Sequence, residues 1–325
     1  MKFLVTGVCG QLGHDLMNEL SLRGFPAVGT DICEPSVFCA QQGGREEAAE
    51  NYRKLDITDQ AAVSRVIREV SPDAVLHCAA WTQVDAAEDE ENREKVYAVN
   101  VTGTENIAKA CKELDIPMTY ISTDYVFDGQ GTEPWKPDCR AYDPKNYYGR
   151  TKLQGELCVS ENLTRFFIVR IAWVFGKNGH NFIRTMLRLS ENHDRLRVVA
   201  DQIGTPTYTY DLARLLVDIN LTDKYGYYHA TNEGGYISWY DFTCEILRQA
   251  AELSVPAQSG SKEVPDYAAV SVEPVTTAEY GVSKAVRPFN SRLDKSKLTE
   301  NGFTPLPDWK DALRRYLTDL CEAKD

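Results

Sequence analysis

The 325-residue chain lacks any apolar run close to the roughly 20 residues that a transmembrane helix needs. It also lacks a block of lysine or arginine, and its formal net charge is -12. Proteins that bind nucleic acids or membrane surfaces usually carry a basic patch, so we expect neither partner. No signal-peptide pattern opens the sequence, and we therefore expect a cytoplasmic protein.

Cysteine is present nine times, but no two cysteines form a C-x-x-C pair. An odd number of scattered cysteines favours reduced, mostly buried thiols over a disulfide framework. We therefore predict no disulfide scaffold, and we assign no residue to a metal site.

Short apolar runs alternate with helical patterns along the first half of the chain. Segments 3–5 and 74–77 are typical of buried strands, and segments 11–23 and 61–70 are typical of helices. Apolar strands connected by helices predict a parallel sheet that is covered on both faces. The predicted fold class is α/β, a Rossmann-type doubly wound parallel sheet with a smaller carboxyl-terminal α+β lobe.

The less regular second half leads us to divide the chain into two parts. We assign residues 1–175, with 196–222 returning, to a dinucleotide-binding domain. We assign residues 176–195 and 223–325 to a substrate lobe.

Three glycines follow the first predicted strand directly, in the spacing G-x-x-G-x-x-G. Glycine permits a tight turn and a close approach of the backbone to a pyrophosphate. The next helix offers free amides and the positive end of its dipole to phosphates. An ordinary turn would use the same glycines, but this position favours a dinucleotide site. The predicted contacts are Gly7, Gly10, Gln11, Leu12 and Gly13.

Asp31 ends the second predicted strand, where a carboxylate can accept hydrogen bonds from the adenosine ribose. A turn-forming aspartate is the alternative. A carboxylate at this position repels a 2′-phosphate, and no basic residue follows before Arg45, which favours NADH over NADPH. Asp56 and Ile57 follow the third strand, where such folds pass the adenine, although Asp56 could equally cap a helix.

Tyr148 and Lys152 are one turn apart on a predicted helix, so their side chains share one face. A tyrosine has a pKa of about 10 in water. A neighbouring ammonium would lower that pKa and make the phenol a better proton donor to a carbonyl. Lys152 could also bind the nicotinamide ribose. The pair alone is equally consistent with a solvated helix face.

Thr123 follows another buried strand. Ligands of parallel α/β sheets bind at the carboxyl ends of the strands, so Thr123 could hydrogen-bond a substrate carbonyl. A helix or turn cap is the alternative. Together with the glycine loop, Tyr148 and Lys152, it indicates a nicotinamide-dependent oxidoreductase.

Longer sequence phrases resemble the extended short-chain dehydrogenase/reductases, and among them the dTDP-4-dehydrorhamnose reductase family. The resemblance spans nearly the whole chain, and S-T-D-Y-V-F-D-G and R-P-x-N-S-x-L are its most specific parts. The matching segments are 10–13, 79–85, 100–104, 122–129, 148–156, 170–176, 181–182, 201–207 and 287–293.

The resemblance implies NADPH- or NADH-dependent reduction of the C4 ketone of a dTDP-4-dehydro-6-deoxy-L-hexose, giving dTDP-L-rhamnose for cell-surface polysaccharide. It implies proton donation by Tyr148, ketone polarisation by Thr123 and ribose binding by Lys152. It implies cofactor contacts from Ala79, Ala80, Thr82 and Asn100. The implied substrate contacts are Val84, Asp124, Tyr125, Trp173, Asn181, Gln202 and Arg287.

Two of these implied contacts have structural alternatives, a core tryptophan for Trp173 and a surface salt bridge for Arg287. Some relatives form a dimer around a magnesium ion held by glutamates, but this chain carries Asp15 and Tyr210 at the corresponding positions. We therefore expect a monomer or a weak homodimer without a metal link. The family commonly uses NADPH, whereas Asp31 favours NADH, and both cofactors stay open.

Two other functions are compatible with the same motifs. One is a nucleotide-sugar epimerase or dehydratase, although a dehydratase would need an acidic pair where Asp124 is followed by Tyr125. The other is a non-catalytic NAD(P)-binding module that resembles the regulatory subunit of methionine adenosyltransferase.

Overall fold

The computed structural model describes residues 1–44, 46–261, 263–281 and 283–322. Arg45 and the last three residues of the predicted lobe lie outside this part of the chain. The strands are β1 (Phe3–Thr6), β2 (Ala27–Asp31), β3 (Tyr52–Lys54), β4 (Ala74–His77), β5 (Met118–Thr123), β6 (Phe166–Ile171), β7 (Val174–Phe175), β8 (Arg195–Val199), β9 (Ile203–Gly204), β10 (Thr207–Tyr208), β11 (Gly226–His229), β12 (Ile237–Ser238) and β13 (Ser271–Val275).

The α-helices alternate with the strands through the first half of the chain. They are α1 (Gln11–Leu22), α2 (Pro35–Gln41), α3 (Gln60–Val70), α4 (Glu90–Tyr97), α5 (Thr104–Leu114), α6 (Tyr147–Asn162), α7 (Phe182–Ser190), α8 (Thr209–Asn220), α9 (Trp239–Leu253), α10 (Thr277–Tyr280), α11 (Ser296–Glu300) and α12 (Trp309–Glu322). A π-helical segment, Ala98–Gly103, connects α4 to α5.

Seven parallel strands form the main sheet in the order β3-β2-β1-β4-β5-β6-β11. The first six follow the classic order of a dinucleotide-binding sheet, which reverses direction at β1 and β4. The carboxyl ends of these two strands are in register, with Thr6 beside His77. The prediction of a Rossmann-type parallel sheet is confirmed.

Alternate residues of each strand enter opposite layers of the core. Phe3 and Val5 face a layer that contains Leu16 of α1 and Leu216 of α8. Leu4 faces a second layer built from α3, α5 and α6. Each fully buried aliphatic side chain contributes about 1.5–3 kcal/mol to folding, so both faces of the sheet need a helical cover.

A third core lies in the carboxyl-terminal part of the chain and packs α7, α9 and α12 together. Around it lie the short strand pairs β7–β10, β9–β12 and β8–β13. One segment departs from the predicted division, because β11 was assigned to the substrate lobe but pairs with β6 at the edge of the main sheet. The remaining domain boundaries stay predictions. No helix in the described ranges has both the length and the apolar character of a transmembrane span.

Candidate active site

The glycine turn packs directly against the end of β4. Gly7 has a φ of +73°, and a Cβ at this position would lie 2.7 Å from the amide nitrogen of Ala79. A Cβ at Gly13 would lie 2.2 Å from the carbonyl oxygen of Gly7. Both positions therefore require glycine for their close contacts.

Helix α1 begins at this turn without a side-chain cap, because Gly10 occupies the cap position. Its first turn carries no acidic side chain, although free helix amides attract negative charge. Gln11 and Leu12 open this same turn of the helix. An uncapped helix start can bind an anion such as a pyrophosphate, and the predicted dinucleotide contacts here stay predictions.

Asp31 lies beside the glycine turn. Its carboxylate accepts hydrogen bonds from the backbone amides of Cys9, at 2.9 Å, and Cys33, at 3.3 Å. Its predicted contact with the adenosine ribose remains a proposal.

The residues predicted to lie along the adenine have different surroundings. Asp56 is exposed and accepts from the amide of Thr58, at 2.9 Å, whereas α3 is capped by Asp59. The helix-cap alternative for Asp56 is therefore wrong. Ile57 is buried beside Gly103 and is mainly a packing residue.

Asn100 lies in the π-helical segment and is 1% exposed. Its amide oxygen accepts from the amide of Trp81 at 2.8 Å, and its amide nitrogen donates to the hydroxyl of Thr151 at 3.1 Å. Asn100 thus ties the loop after β4 to α6. That loop contains the half-buried Ala79 and Ala80 and the exposed Thr82. π-Helical turns frequently occur at functional sites.

Tyr148 lies in the first turn of α6, whose cap Asn146 accepts from the amide of Gly149 at 2.7 Å. The Tyr148 hydroxyl lies near Thr123 at the end of β5, and the Tyr148 ring packs edge-to-face on Tyr125 at 5.6 Å. Burial raises the pKa of Tyr148 above its ordinary value, and the nearby Asp124 raises it further. The expected lowering of this pKa is therefore absent from the chain alone.

Lys152 lies one turn further along α6. Its ammonium donates to the carbonyl oxygen of Ile121 at 2.7 Å and lies 4.1 Å from the centre of the Tyr120 ring. Burial lowers the pKa of Lys152 to about 7, against the opposing charge of Glu156. The structure therefore brings Thr123, Tyr148 and Lys152 to the same end of β5.

Two glycines allow α6 to approach β5 and the turn that follows it. A Cβ at Gly149 would lie 2.4 Å from the carbonyl oxygen of Tyr125. A Cβ at Gly155 would lie 2.3 Å from the hydroxyl oxygen of Tyr120. No larger residue fits either position unless the helix moves.

Asp124 is 1% exposed and holds Thr123 in place. One carboxylate oxygen accepts from the Thr123 hydroxyl at 2.9 Å, and the other accepts from the Ser291 hydroxyl at 2.5 Å. Burial raises the pKa of Asp124 to about 6. These contacts enclose the carboxylate, and its predicted contact with the substrate stays a prediction. Ser291 lies within a motif seen in the sequence but received no role there.

Arg287 forms an ion pair with Asp85 and lies next to Tyr125. Its guanidinium donates to Asp85 at 2.6 Å and to the hydroxyl of Tyr125 at 3.3 Å. Asp85 also accepts from Ser283 at 3.0 Å. We call Asp85, Ser283 and Arg287 the Asp85 bracket. The salt-bridge alternative for Arg287 is thus present, and the guanidinium still faces Tyr125.

Three other predicted substrate contacts are built into the carboxyl-terminal core. Trp173, with a φ of +50°, stacks on Trp239 with ring centres 3.7 Å apart. Asn181 caps α7 and donates to Tyr316 at 3.0 Å, while Gln202 donates to Thr277 at 3.1 Å. Asn181 and Gln202 use these amide nitrogens within the protein, and their predicted contact with the nucleotide diphosphate stays a prediction.

Two further positions from the sequence analysis are Val84, a predicted substrate contact, and Asp15, which bears on the metal-linked dimer. Val84 is half-buried and packs in the cluster that contains Tyr148. Asp15 is 4% exposed and accepts from Thr209 at 2.5 Å, whereas Tyr210 is exposed. The enclosed Asp15 carboxylate supports our doubt about a metal-linked dimer, which stays a prediction.

A Rossmann sheet, an uncapped glycine turn and converging threonine, tyrosine and lysine side chains define a short-chain dehydrogenase/reductase. The family described as RmlD substrate binding domain matches residues 1–322. The chain belongs to this family.

Similar proteins match the chain over nearly its whole length. The spore coat polysaccharide biosynthesis protein SpsK of Bacillus subtilis is 36% identical over 324 residues, which cover 100% of this chain and 99% of that protein. The dTDP-4-dehydrorhamnose reductase of Aggregatibacter actinomycetemcomitans is 36% identical over 96% of this chain and 97% of its own. The crystal structure of the Bacillus anthracis dTDP-4-dehydrorhamnose reductase in complex with NADP is 34% identical, with a TM-score of 0.80 over 98% of this chain and 99% of that one.

Proposed function

We propose that this chain reduces the C4 ketone of a dTDP-4-dehydro-6-deoxy-L-hexose to dTDP-L-rhamnose, with NADPH or NADH as the reductant. The observation that carries the proposal is the convergence of Thr123, Tyr148 and Lys152 at the end of β5. Reductases that share the whole fold at more than 30% identity support the substrate class. A cytoplasmic location suits this biosynthetic step.

A bound nicotinamide supplies the hydride that adds to C4 of the sugar. Tyr148 donates its phenolic proton to the ketone oxygen, which becomes the C4 hydroxyl. The raised pKa of Tyr148 keeps the phenol protonated at neutral pH, as a proton donor requires. Thr123 hydrogen-bonds the same oxygen and orients the ketone when its hydroxyl hydrogen turns from Asp124 to the ketone.

The Asp124 carboxylate prepares Thr123 for this role. It accepts from both Thr123 and Ser291, so the threonine hydroxyl has a fixed position before the ketone arrives. Only the hydroxyl hydrogen then has to turn from Asp124 to the ketone oxygen, while the threonine oxygen keeps its place. Ser291 therefore acts through Asp124 on the donor that meets the substrate.

Lys152 carries a positive charge near the end of β5. Its ammonium lies over the Tyr120 ring, and its predicted role is to bind the nicotinamide ribose. We expect this positive charge to favour the phenolate that remains after proton donation. The lowered pKa of Lys152 makes this effect strongest below about pH 7.

The Asp85 bracket provides the contact for the nucleotide diphosphate. The planar guanidinium of Arg287 can grip phosphate oxygens in a bidentate manner. Substrate binding then exchanges the Asp85 carboxylate for the diphosphate. Tyr125 lies between this guanidinium and Tyr148 and is placed to contact the sugar.

A coupled assay tests the proposal. The chain is mixed with freshly made dTDP-4-keto-6-deoxyglucose, a 3,5-epimerase and NADPH or NADH, and absorbance of the reduced nicotinamide is followed. We expect stoichiometric oxidation and dTDP-L-rhamnose as the product. An epimerase or a non-catalytic binding module would show no net oxidation of NADPH or NADH. The absence of net oxidation with both cofactors would therefore refute the proposal.

Cofactor preference is tested in the same assay. Asp31 favours NADH, because its carboxylate would meet a 2′-phosphate. A large kcat/KM preference for NADPH would show that this argument is wrong.

A further inference from the structure

Two thiols and a carboxylate lie together beside the glycine turn. The ligand atoms of Cys9, Asp31 and Cys33 all lie within 4.8 Å of one another. All three residues are half-buried, so a small solute can reach them. The reduction proposed above uses Asp31 but neither thiol.

The backbone holds the three residues in this arrangement. Cys9 lies within the glycine turn, and Cys33 follows β2 by two residues. The Asp31 carboxylate accepts from the amides of both cysteines, and the hydroxyl of Tyr52 donates to the Cys33 carbonyl at 2.6 Å. Their side chains are thus grouped before any ligand arrives.

We propose that Cys9, Asp31 and Cys33 form a three-ligand site for Zn²⁺ with an open fourth position. Zinc binds thiolate sulfur at about 2.3 Å and carboxylate oxygen at about 2.0–2.2 Å. Tetrahedral geometry at these lengths separates the ligand atoms by about 3.5–3.8 Å. The observed cluster reaches this size with side-chain movements of about 1 Å.

The donor set selects for zinc over the common oxygen-seeking cations. Thiolates favour soft or borderline metals, whereas Mg²⁺ and Ca²⁺ prefer sites made only of oxygen. Binding releases the two thiol protons to solvent, and no electrons are transferred.

The same carboxylate is the predicted ligand of the adenosine ribose. A zinc ion bound by Asp31 therefore occupies the group that the dinucleotide would use, and the two ligands exclude each other. This consequence depends on the proposed function, whereas zinc binding itself does not.

Zinc binding is measured on the full chain, kept reduced with a phosphine and freed of metal. Titration with Zn²⁺ against a chromophoric chelator should show one tight site per chain. Co²⁺ used as a spectroscopic substitute should show thiolate-to-metal charge-transfer absorption. Absence of a stoichiometric site would refute the proposal.

Cysteine variants locate the site. Removing a group that only orients a metal ligand costs about 10–100-fold in affinity, so loss of a ligand in Cys33→Ser should weaken zinc by more than ~100-fold. Cys244→Ser, which changes another half-buried cysteine on α9, should bind zinc as the unchanged chain does. Equal affinities for the two variants would place the zinc elsewhere.

Competition is measured separately by the quenching of protein fluorescence on titration with NADH. One equivalent of Zn²⁺ should weaken NADH binding to the unchanged chain and leave the Cys33→Ser variant unaffected. Simultaneous tight binding of zinc and NADH would overturn the competition. A chain that binds zinc but no dinucleotide at all would instead refute the proposed function.

Discussion

Replacement of Tyr148 by phenylalanine removes the hydroxyl that, in our proposal, protonates the ketone. A positioned general acid contributes about 10²–10⁴-fold to a reaction rate. At 1.36 kcal/mol for each tenfold change, this corresponds to about 2.7–5.4 kcal/mol of transition-state stabilisation. We therefore expect Tyr148→Phe to lower kcat by at least about 100-fold.

The surrounding contacts indicate that this loss will be confined to chemistry. The phenylalanine ring retains the edge-to-face contact with Tyr125, and the Thr123 hydroxyl retains its bond to Asp124. Loss of one hydrogen bond should cost only about 0.5–1.5 kcal/mol in the free energy of unfolding. Cofactor affinity should change little, because the hydroxyl contributes mainly in the transition state.

The assay combines steady-state oxidation of the reduced nicotinamide with fluorescence titration of the cofactor and urea unfolding. Tyr147→Phe is a matched control, because the neighbouring phenol donates to the Arg93 carbonyl at 3.3 Å, away from Thr123. An unchanged kcat in Tyr148→Phe, or an equal loss in both variants, would refute the assignment of the proton donor.

Three further perturbations test the rest of the site. Because the pKa of Lys152 is about 7, its ammonium should lose charge as the pH rises from 6 to 9, and NADH binding should weaken. In fluorescence titrations, Lys152→Met should bind NADH with a lower affinity that does not depend on pH. The burial of Lys152 should also make the free energy of unfolding rise with pH between about 7 and 10.5, its pKa in the unfolded chain, because the unfolded chain binds more protons in this range. Urea unfolding with the same pH dependence for Lys152→Met and the unchanged chain would contradict this. Asp85→Asn should free Arg287 and lower the KM for the nucleotide sugar severalfold with little change in kcat, and a raised KM would contradict the exchange. Glu156→Gln should lower the free energy of unfolding by about 3–5 kcal/mol, because Arg170 is 0% exposed and would lose its charged partner. A loss below about 1 kcal/mol in urea unfolding would show that the ion pair contributes little to stability.

Much of the amino-terminal half could be predicted because its signals are local. Alternating apolar strands and helices predict a parallel sheet, and a tyrosine and a lysine one turn apart must share a helix face. The π-helical segment around Asn100 could not be predicted, because the surrounding sequence reads as continuous helix and only its tertiary contacts distort it. Likewise, β11 joins the main sheet through pairing with β6, which is distant in sequence.

The parts of the site that the sequence did not reveal are polar residues whose partners lie far along the chain. Asp124 was expected to contact substrate, but Ser291 reaches it from 167 residues away. Asn181 was also read as a ligand, although it caps α7 and contacts Tyr316. A motif indicates that a polar side chain has a hydrogen-bonding partner. The fold is needed to identify that partner, because it can lie far away in the sequence.

The close contact that Gly149 and Gly155 of α6 make with β5 and the turn after it affects how the site can change during evolution. Because Gly149 and Gly155 put backbone against backbone and ring, the spacing between phenol and threonine does not depend on the rotamers of neighbouring side chains. Substitutions in the surrounding pocket can therefore alter which sugar is accepted while the reacting groups keep their separation. A single added methyl group at either glycine would instead push the whole helix outward and separate the proton donor from its target.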